Sequence, residues 1–296
     1  MSSFGRFESV HELHRTGVAV IYSGRQATGP EEKFALKVFQ PSASILGEDL
    51  LKSETDLFLK GAQIQQKVSA GGAQHWASAY EYGSIPDGAF YVTDKYDRSL
   101  QQLIDGRIRI SSPVLHAIVE SIMKGLIELK EECGRPHGNL KATNVLMAGT
   151  GEISQTRIVL SDPSSDEQFD SQGHWDEDLR AIARFIYELV THRPIPAVDG
   201  WQVPDSPEWA KLGKQADSWR SLCNLLLSAS VKSDTITIEK VSEELEKLRV
   251  VKKLLSPRRL IAAGIVLPKA LTILSSQVKS KKMRDAILET ENEIIL

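Results

Sequence analysis

Apolar and polar positions change rhythm along this chain. Val18-Ala19-Val20-Ile21-Tyr22 is β-rich and follows a turn-like His14-Arg15-Thr16-Gly17. Lys33–Phe39 alternates and ends at Pro41, so residues 4–40 are predicted as strands. Residues 45–68 change to helical spacing, with Leu50, Leu51, Leu57, Phe58, Ala62 and Ile64 on one face, interrupted at Gly61. Ala70-Gly71-Gly72-Ala73 is a loop. Residues 76–96 give two more strands around Ile85-Pro86-Asp87-Gly88.

From Asp97 the pattern becomes helical. Ser99–Ile104 is short and amphipathic. Ser111-Ser112-Pro113 is a helix start, a capping serine followed by proline in the first turn. Leu115, Ile118, Val119, Ile122, Leu126 and Leu129 form one stripe, which Gly134 closes. Ile153–Leu160 is mostly strand, and Asp178–Leu189 is helical. Residues 197–250 are loops and helices in which Trp209, Trp219, Leu222, Leu225 and Leu226 are core residues, and Glu239–Val251 is an amphipathic helix.

Composition narrows the class of protein. The 296 residues are 41% hydrophobic and 25% charged, an ordinary globular balance. A net charge of −3 gives no global field that calls for nucleic acid. Cys133 and Cys223 lack metal-type spacing and are expected as small core residues in a reducing compartment. Met1–Arg6 has no apolar run behind it, so no signal peptide is expected and the cytoplasm is the default location.

The chemistry concentrates in His137-Gly138-Asn139-Leu140-Lys141-Ala142-Thr143-Asn144-Val145-Leu146. This stretch resembles the catalytic loop of the protein kinases, H-R-D-L-x-x-x-N. The resemblance, to a divergent kinase of the bacterial Ser/Thr type, extends over about residues 5–250 in the family's order. Ala35-Leu36-Lys37 falls at its V-A-I-K strand, Asp162-Pro163-Ser164 at D-F-G, and Asp178–Pro196 at its central large-lobe helix. It implies an α+β, two-lobed fold, with a β-rich small lobe over residues 1–96 and a helical large lobe over 97–250.

The resemblance implies ATP and Mg²⁺ as cofactors. Lys37 is the candidate phosphate lysine; Asn144 and Asp162 are the candidate metal ligands. Thr93 stands at the gatekeeper place, and Asp94 and Tyr96 at the adenine-binding hinge. Lys141 is the candidate that neutralises the transferring phosphate. Read without the family, Lys37 is a solvated strand lysine and Asp162 a turn residue before proline.

The departures are as informative as the matches. The family's catalytic Asp is Asn139, whose amide is not a base near neutral pH. The three loop glycines of G-x-G-x-x-G-x-V fall on His14, Thr16 and Ala19, with Ile21 at the valine. The helix glutamate that pairs with the lysine falls on Gly61, with Glu54 as a substitute only if the helix is shifted. The span between Asp162 and Asp178 has no A-P-E motif and is too short for a peptide-substrate shelf. The expected function is therefore a pseudokinase, a binding or scaffolding module with protein partners. The alternative is a weak or atypical phosphotransferase using Lys37, Asn144 and Asp162.

Residues 251–296 form a separate basic tail. From Lys252 to Arg284 its charged residues are all Lys or Arg. Leu260–Leu274 is shorter than the ~20 apolar residues of a membrane span and is interrupted at Pro268-Lys269. Three placements follow: against the large lobe, in a membrane interface at the inner face with residues 252–284 toward anionic headgroups, or against a partner chain.

Overall fold

The computed structural model describes residues 2–16, 18–41, 47–86, 88–149, 151–153, 156–165, 172–198, 200–229 and 236–249. The tail expected over 251–296 lies outside the described residues. The chain opens with β1 (Ser3–Phe4), β2 (Phe7–Arg15), β3 (Ala19–Gln26) and β4 (Phe34–Phe39). Then come α1 (Glu48–Ala70), β5 (Ala79–Ile85) and β6 (Gly88–Asp94). These strands make one antiparallel sheet in the order β1-β2-β3-β4-β6-β5. Its inner face packs Phe4, Phe7, Leu36, Val38, Phe90 and Val92 into a small core, the period-2 consequence of alternation along β4 and β6. This is the small lobe.

The large lobe follows with β7 (Arg98–Ser99), α2 (Leu100–Asp105), α3 (Ser112–Cys133), β8 (Val145–Ala148) and β9 (Arg157–Leu160). It ends with α4 (Gln172–Thr191), α5 (Ala216–Leu227) and α6 (Ile238–Lys247). β7, β8 and β9 pair in that order, and short 3₁₀ turns lie at Ala142–Asn144 and Trp209–Gln215. The α3 stripe is buried throughout: Leu115, Ile118, Val119, Ile122, Leu126 and Leu129 are each 0% exposed. Against it pack α4 and α6, α5 packs on those two, and Trp209 and Trp219 lie inside the same core. Gly134 ends α3 in the left-handed region, φ 67°, where a Cβ is penalised.

Several sequence expectations shift. α1 buries Ala62, Gln65 and Val68 and leaves Leu50 exposed, so its inward face carries a polar side chain. The strand expected from Ile153 begins at Arg157. α4 starts at Gln172, well before Asp178, which shortens the connection from Asp162 further. Ser111 occupies the N-cap of α3, but its hydroxyl makes no capping bond. Among the described residues no helix is long and apolar enough to cross a membrane.

Candidate active site

The loop His137–Asn144 is built by buried polar contacts. Asp178, on α4 and 1% exposed, accepts hydrogen bonds from the His137 and Gly138 amides at 2.7 and 3.0 Å. Burial pushes its carboxyl up to about 7, against the pull of those two amides. Gly138 turns the chain at φ 65°, a left-handed position suited to glycine. His137 is fully buried and lies against Trp76, ring centroids 5.6 Å apart. Its Nε2 is 3.0 Å from the Ser161 carbonyl, and the Asn139 amide is 3.2 Å from its Nδ1. That network assigns a neutral ring with the proton on Nε2. Burial holds its pKa down at about 4.

Four of the candidate residues meet at the end of this loop. Lys37 Nζ lies 2.6 Å from Asp162 Oδ1, and the side chains are 26% and 21% exposed. Asn139 Nδ2 donates to the Asp162 carbonyl at 3.0 Å, and Asn144 Nδ2 to the Asn139 carbonyl at 2.9 Å. The Ser161 amide donates to the Asn144 carbonyl at 2.9 Å, closing a chain of bonds from β9 to the loop. Asp162 itself is left-handed, φ 58°, a conformation its short polar side chain tolerates. Burial raises the Asp162 pKa, but the Lys37 charge and hydrogen bond outweigh it, and the carboxyl lies below its usual range.

The partner of Lys37 is thus Asp162, not Glu54. Gly61 faces the same place: a Cβ added to it would stand 3.2 Å from the Pro163 carbonyl. Lys141 is exposed at the N-cap of the Ala142–Asn144 turn and is not drawn into the cluster. Thr16 holds the β2–β3 turn through its hydroxyl, which accepts from the Ala19 amide at 3.0 Å. His14 and Thr16 are both exposed.

In the hinge, Thr93 is buried and its hydroxyl donates to the Asp94 carbonyl at 2.9 Å. That carbonyl keeps a second lone pair. Asp94 Oδ1 accepts from Tyr80 Oη at 2.7 Å, and the Lys95 amide donates to the Lys33 carbonyl at 2.8 Å. Tyr96 Oη is buried without a partner among the described residues, and burial, followed by Asp94, pushes its pKa up to about 12.

Two further residues contact this cluster that the sequence does not single out. Tyr91, directly opposite Lys37 in the β4–β6 ladder, donates its hydroxyl to Asp162 Oδ1. Gln65, 1% exposed, accepts from the Asp162 amide at 2.9 Å and donates to the Ala77 carbonyl at 3.2 Å. Strand alternation from Thr93 puts Tyr91 on the same face, which was the available signal for it. Gln65 offered none.

For a triphosphate, the fit rests on Lys37, whose ammonium has three donors and gives one to Asp162. For Mg²⁺, Asp162 and Asn144 offer oxygens of the type that ion takes together with phosphates. Asp162 Oδ1, however, already receives both Lys37 and Tyr91. Among the described residues no group of three or more His, Cys, Asp or Glu is placed to hold a metal.

A small antiparallel lobe, a helical lobe, and a lysine strand, asparagine loop and Asp-Pro turn converging between them define a protein-kinase-like fold. The solved structures agree. The kinase domain of Mycobacterium tuberculosis PknI, determined as a double mutant, superposes with a TM-score of 0.58 at 17% identity. The match covers 83% of this chain and 97% of that one. No protein-family profile matches the chain, and no curated protein does.

Proposed function

We propose that the chain is a pseudokinase: a kinase-fold module that accepts a nucleotide beside Lys37 and transfers phosphoryl groups slowly or not at all. One observation carries this reading. The side chain at the catalytic-base position, Asn139, is an amide that gives one N–H to the Asp162 carbonyl. Its oxygen can accept a hydrogen bond from a hydroxyl, but the amide takes no proton at neutral pH. The short connection from Asp162 to α4 is consistent with this, since it leaves little shelf for a peptide substrate. Function then lies in protein partners, in the cytoplasm or at the inner face of a membrane.

A second reading has support from the convergence of Lys37, Asn144 and Asp162. Positioning and electrostatics carry most of phosphoryl transfer, so a slow, atypical phosphotransferase remains compatible with a lost base. Calorimetric titration with ATP on the wild type and Lys37→Ala, paired with a radiolabelled transfer assay, separates the two. The pseudokinase reading expects binding that Lys37→Ala abolishes, with little or no labelled product. Robust transfer that Lys37→Ala removes overturns it.

A further inference from the structure

The Lys37–Asp162 pair has a third member, and it comes from the sheet rather than from α1. Tyr91 and Lys37 are directly opposed in the antiparallel β4–β6 ladder, so their side chains leave the same face as close neighbours. Lys37 Nζ lies 5.8 Å from the centre of the Tyr91 ring. The hydroxyl of that ring donates to Asp162 Oδ1, the same atom that Lys37 holds at 2.6 Å. The ring is 4% exposed and is fixed by Phe58 of α1 at a centroid distance of 5.4 Å; Phe58 in turn stacks on Phe39 at 5.4 Å. Three residues on from Phe58, on the neighbouring face of the helix, Gly61 contributes no side chain at all.

This substitution changes what Asp162 is free to do. A carboxylate from α1 would compete for Lys37 and release Asp162. A phenol does the opposite: it is a donor, and its hydroxyl goes to Asp162 Oδ1. Oδ1 of Asp162 therefore accepts one N–H and one O–H, which uses both its lone pairs. Oδ2 lies 3.3 Å from the Ser161 hydroxyl, whose single proton it shares with the Asn144 carbonyl, also at 3.3 Å. A divalent cation at Oδ1 would have to displace Lys37 and Tyr91, and one at Oδ2 would sit beside the Lys37 ammonium, since Lys37 and Tyr91 both hold the other oxygen of the same carboxylate. Lys37 keeps two further N–H groups for phosphate oxygens.

We propose that Tyr91 sets the metal requirement of the cleft: by donating to Asp162 it holds that carboxylate on Lys37, and the cleft takes a nucleoside triphosphate without a divalent cation. The proposal rests on the nucleotide-binding reading above. Tyr91 is a positioning residue, acting on the nucleotide only through Asp162 and Lys37.

The test uses a trinitrophenyl-ATP probe, displaced by ATP, in EDTA and in millimolar Mg²⁺, on the full chain and on Tyr91→Phe. Thermal unfolding of both verifies that the variant folds. The wild type should bind ATP equally with and without Mg²⁺, within about twofold, while in Tyr91→Phe Mg²⁺ should strengthen binding by about fivefold or more. A wild type strengthened about tenfold by Mg²⁺, or a variant as indifferent to Mg²⁺ as the wild type, overturns the proposal.

A second measurement needs no nucleotide. Acetylation of Lys37 by a succinimidyl ester, followed residue by residue by mass spectrometry, should be several-fold faster in Tyr91→Phe, with Lys33 and Lys95 unchanged. An unchanged Lys37 rate rejects the hold of Tyr91 on the pair. If neither protein binds ATP but Lys37 acetylation rises in the variant, the nucleotide reading has failed, and the metal claim with it, while the role of Tyr91 stands.

Discussion

The side-chain amide of Asn139 reaches the backbone carbonyl of Asp162 at 3.0 Å, tying the His137–Asn144 loop to the turn that carries the carboxylate paired with Lys37. The bond has a direction, from NH₂ to C=O. Restoring the acid by Asn139→Asp would place a carboxylate oxygen against that carbonyl, acceptor against acceptor. The expected cost is about 1–3 kcal/mol of stability, the usual loss when a half-buried donor is removed and its acceptor left unpaired. Urea unfolding of the variant measures it. Asn139→Asp should also produce no robust phosphotransfer; a large gain in both stability and transfer would contradict the arrangement described.

Lys37 and Asp162 neutralise one another, so removing either should hurt more than removing both. Lys37→Met leaves the Asp162 carboxylate with only Tyr91 and Ser161 and is expected to cost about 2 kcal/mol. That is below the range for fully buried pairs, because both side chains keep some access to water. Adding Asp162→Asn should recover part of this loss, and a double-mutant cycle by urea unfolding reads the coupling. The pKa direction fixes the sign with pH. Asp162 is depressed below 3.8, so its contribution is present above that value and is lost as pH falls through the lower folded pKa.

His137 and Asp178 push stability in opposite directions with pH. For His137, the pKa falls from 6.5 unfolded to about 4 folded. The unfolded chain then takes up a proton that the folded chain refuses, and stability drops as pH is lowered from 6.5 to about 4. Asp178 rises from 3.8 to about 7, so its contribution is full below 3.8 and is lost as pH rises toward 7. The two windows overlap, and their slopes largely cancel. Asp178→Asn should expose the histidine alone: its stability should fall more steeply than that of the wild type between pH 6.5 and 4.5, by about 2–3 kcal/mol. Urea midpoints at the two pH values provide the measurement. A variant profile as flat as the wild type would mean that His137 is protonated in the folded protein.

Most of the architecture could be read from local pattern. The β4 alternation, the α3 stripe and the Gly134 stop are rules of period and backbone conformation, and each operates within a few residues. Lys37, Asn139, Asn144 and Asp162 were legible because a linear motif carries them in order. Gln65 was not, because nothing local distinguishes a glutamine that bridges two buried backbone groups from one in water; only the fold supplies the Asp162 amide and the Ala77 carbonyl. The start of α4 at Gln172 was hidden for a related reason. Its first turns are polar, and the apolar periodicity that announced the helix begins only after Asp178.

Trp76 joins the lobes in a way that bears on how the molecule comes apart. Its indole donates to the Gly125 carbonyl at 2.8 Å, inside α3. Its chain neighbours exchange backbone bonds with Leu160 of β9: the Leu160 amide donates to His75 at 2.8 Å, and the Ala77 amide to Leu160 at 2.9 Å. The segment that leads from α1 into β5 is therefore also an extra parallel rung beside β9. A lobe sewn to its neighbour by main-chain bonds around a fully buried tryptophan has no seam along which to melt first. Heat should dissolve both lobes together, in one calorimetric peak whose van't Hoff and calorimetric enthalpies agree.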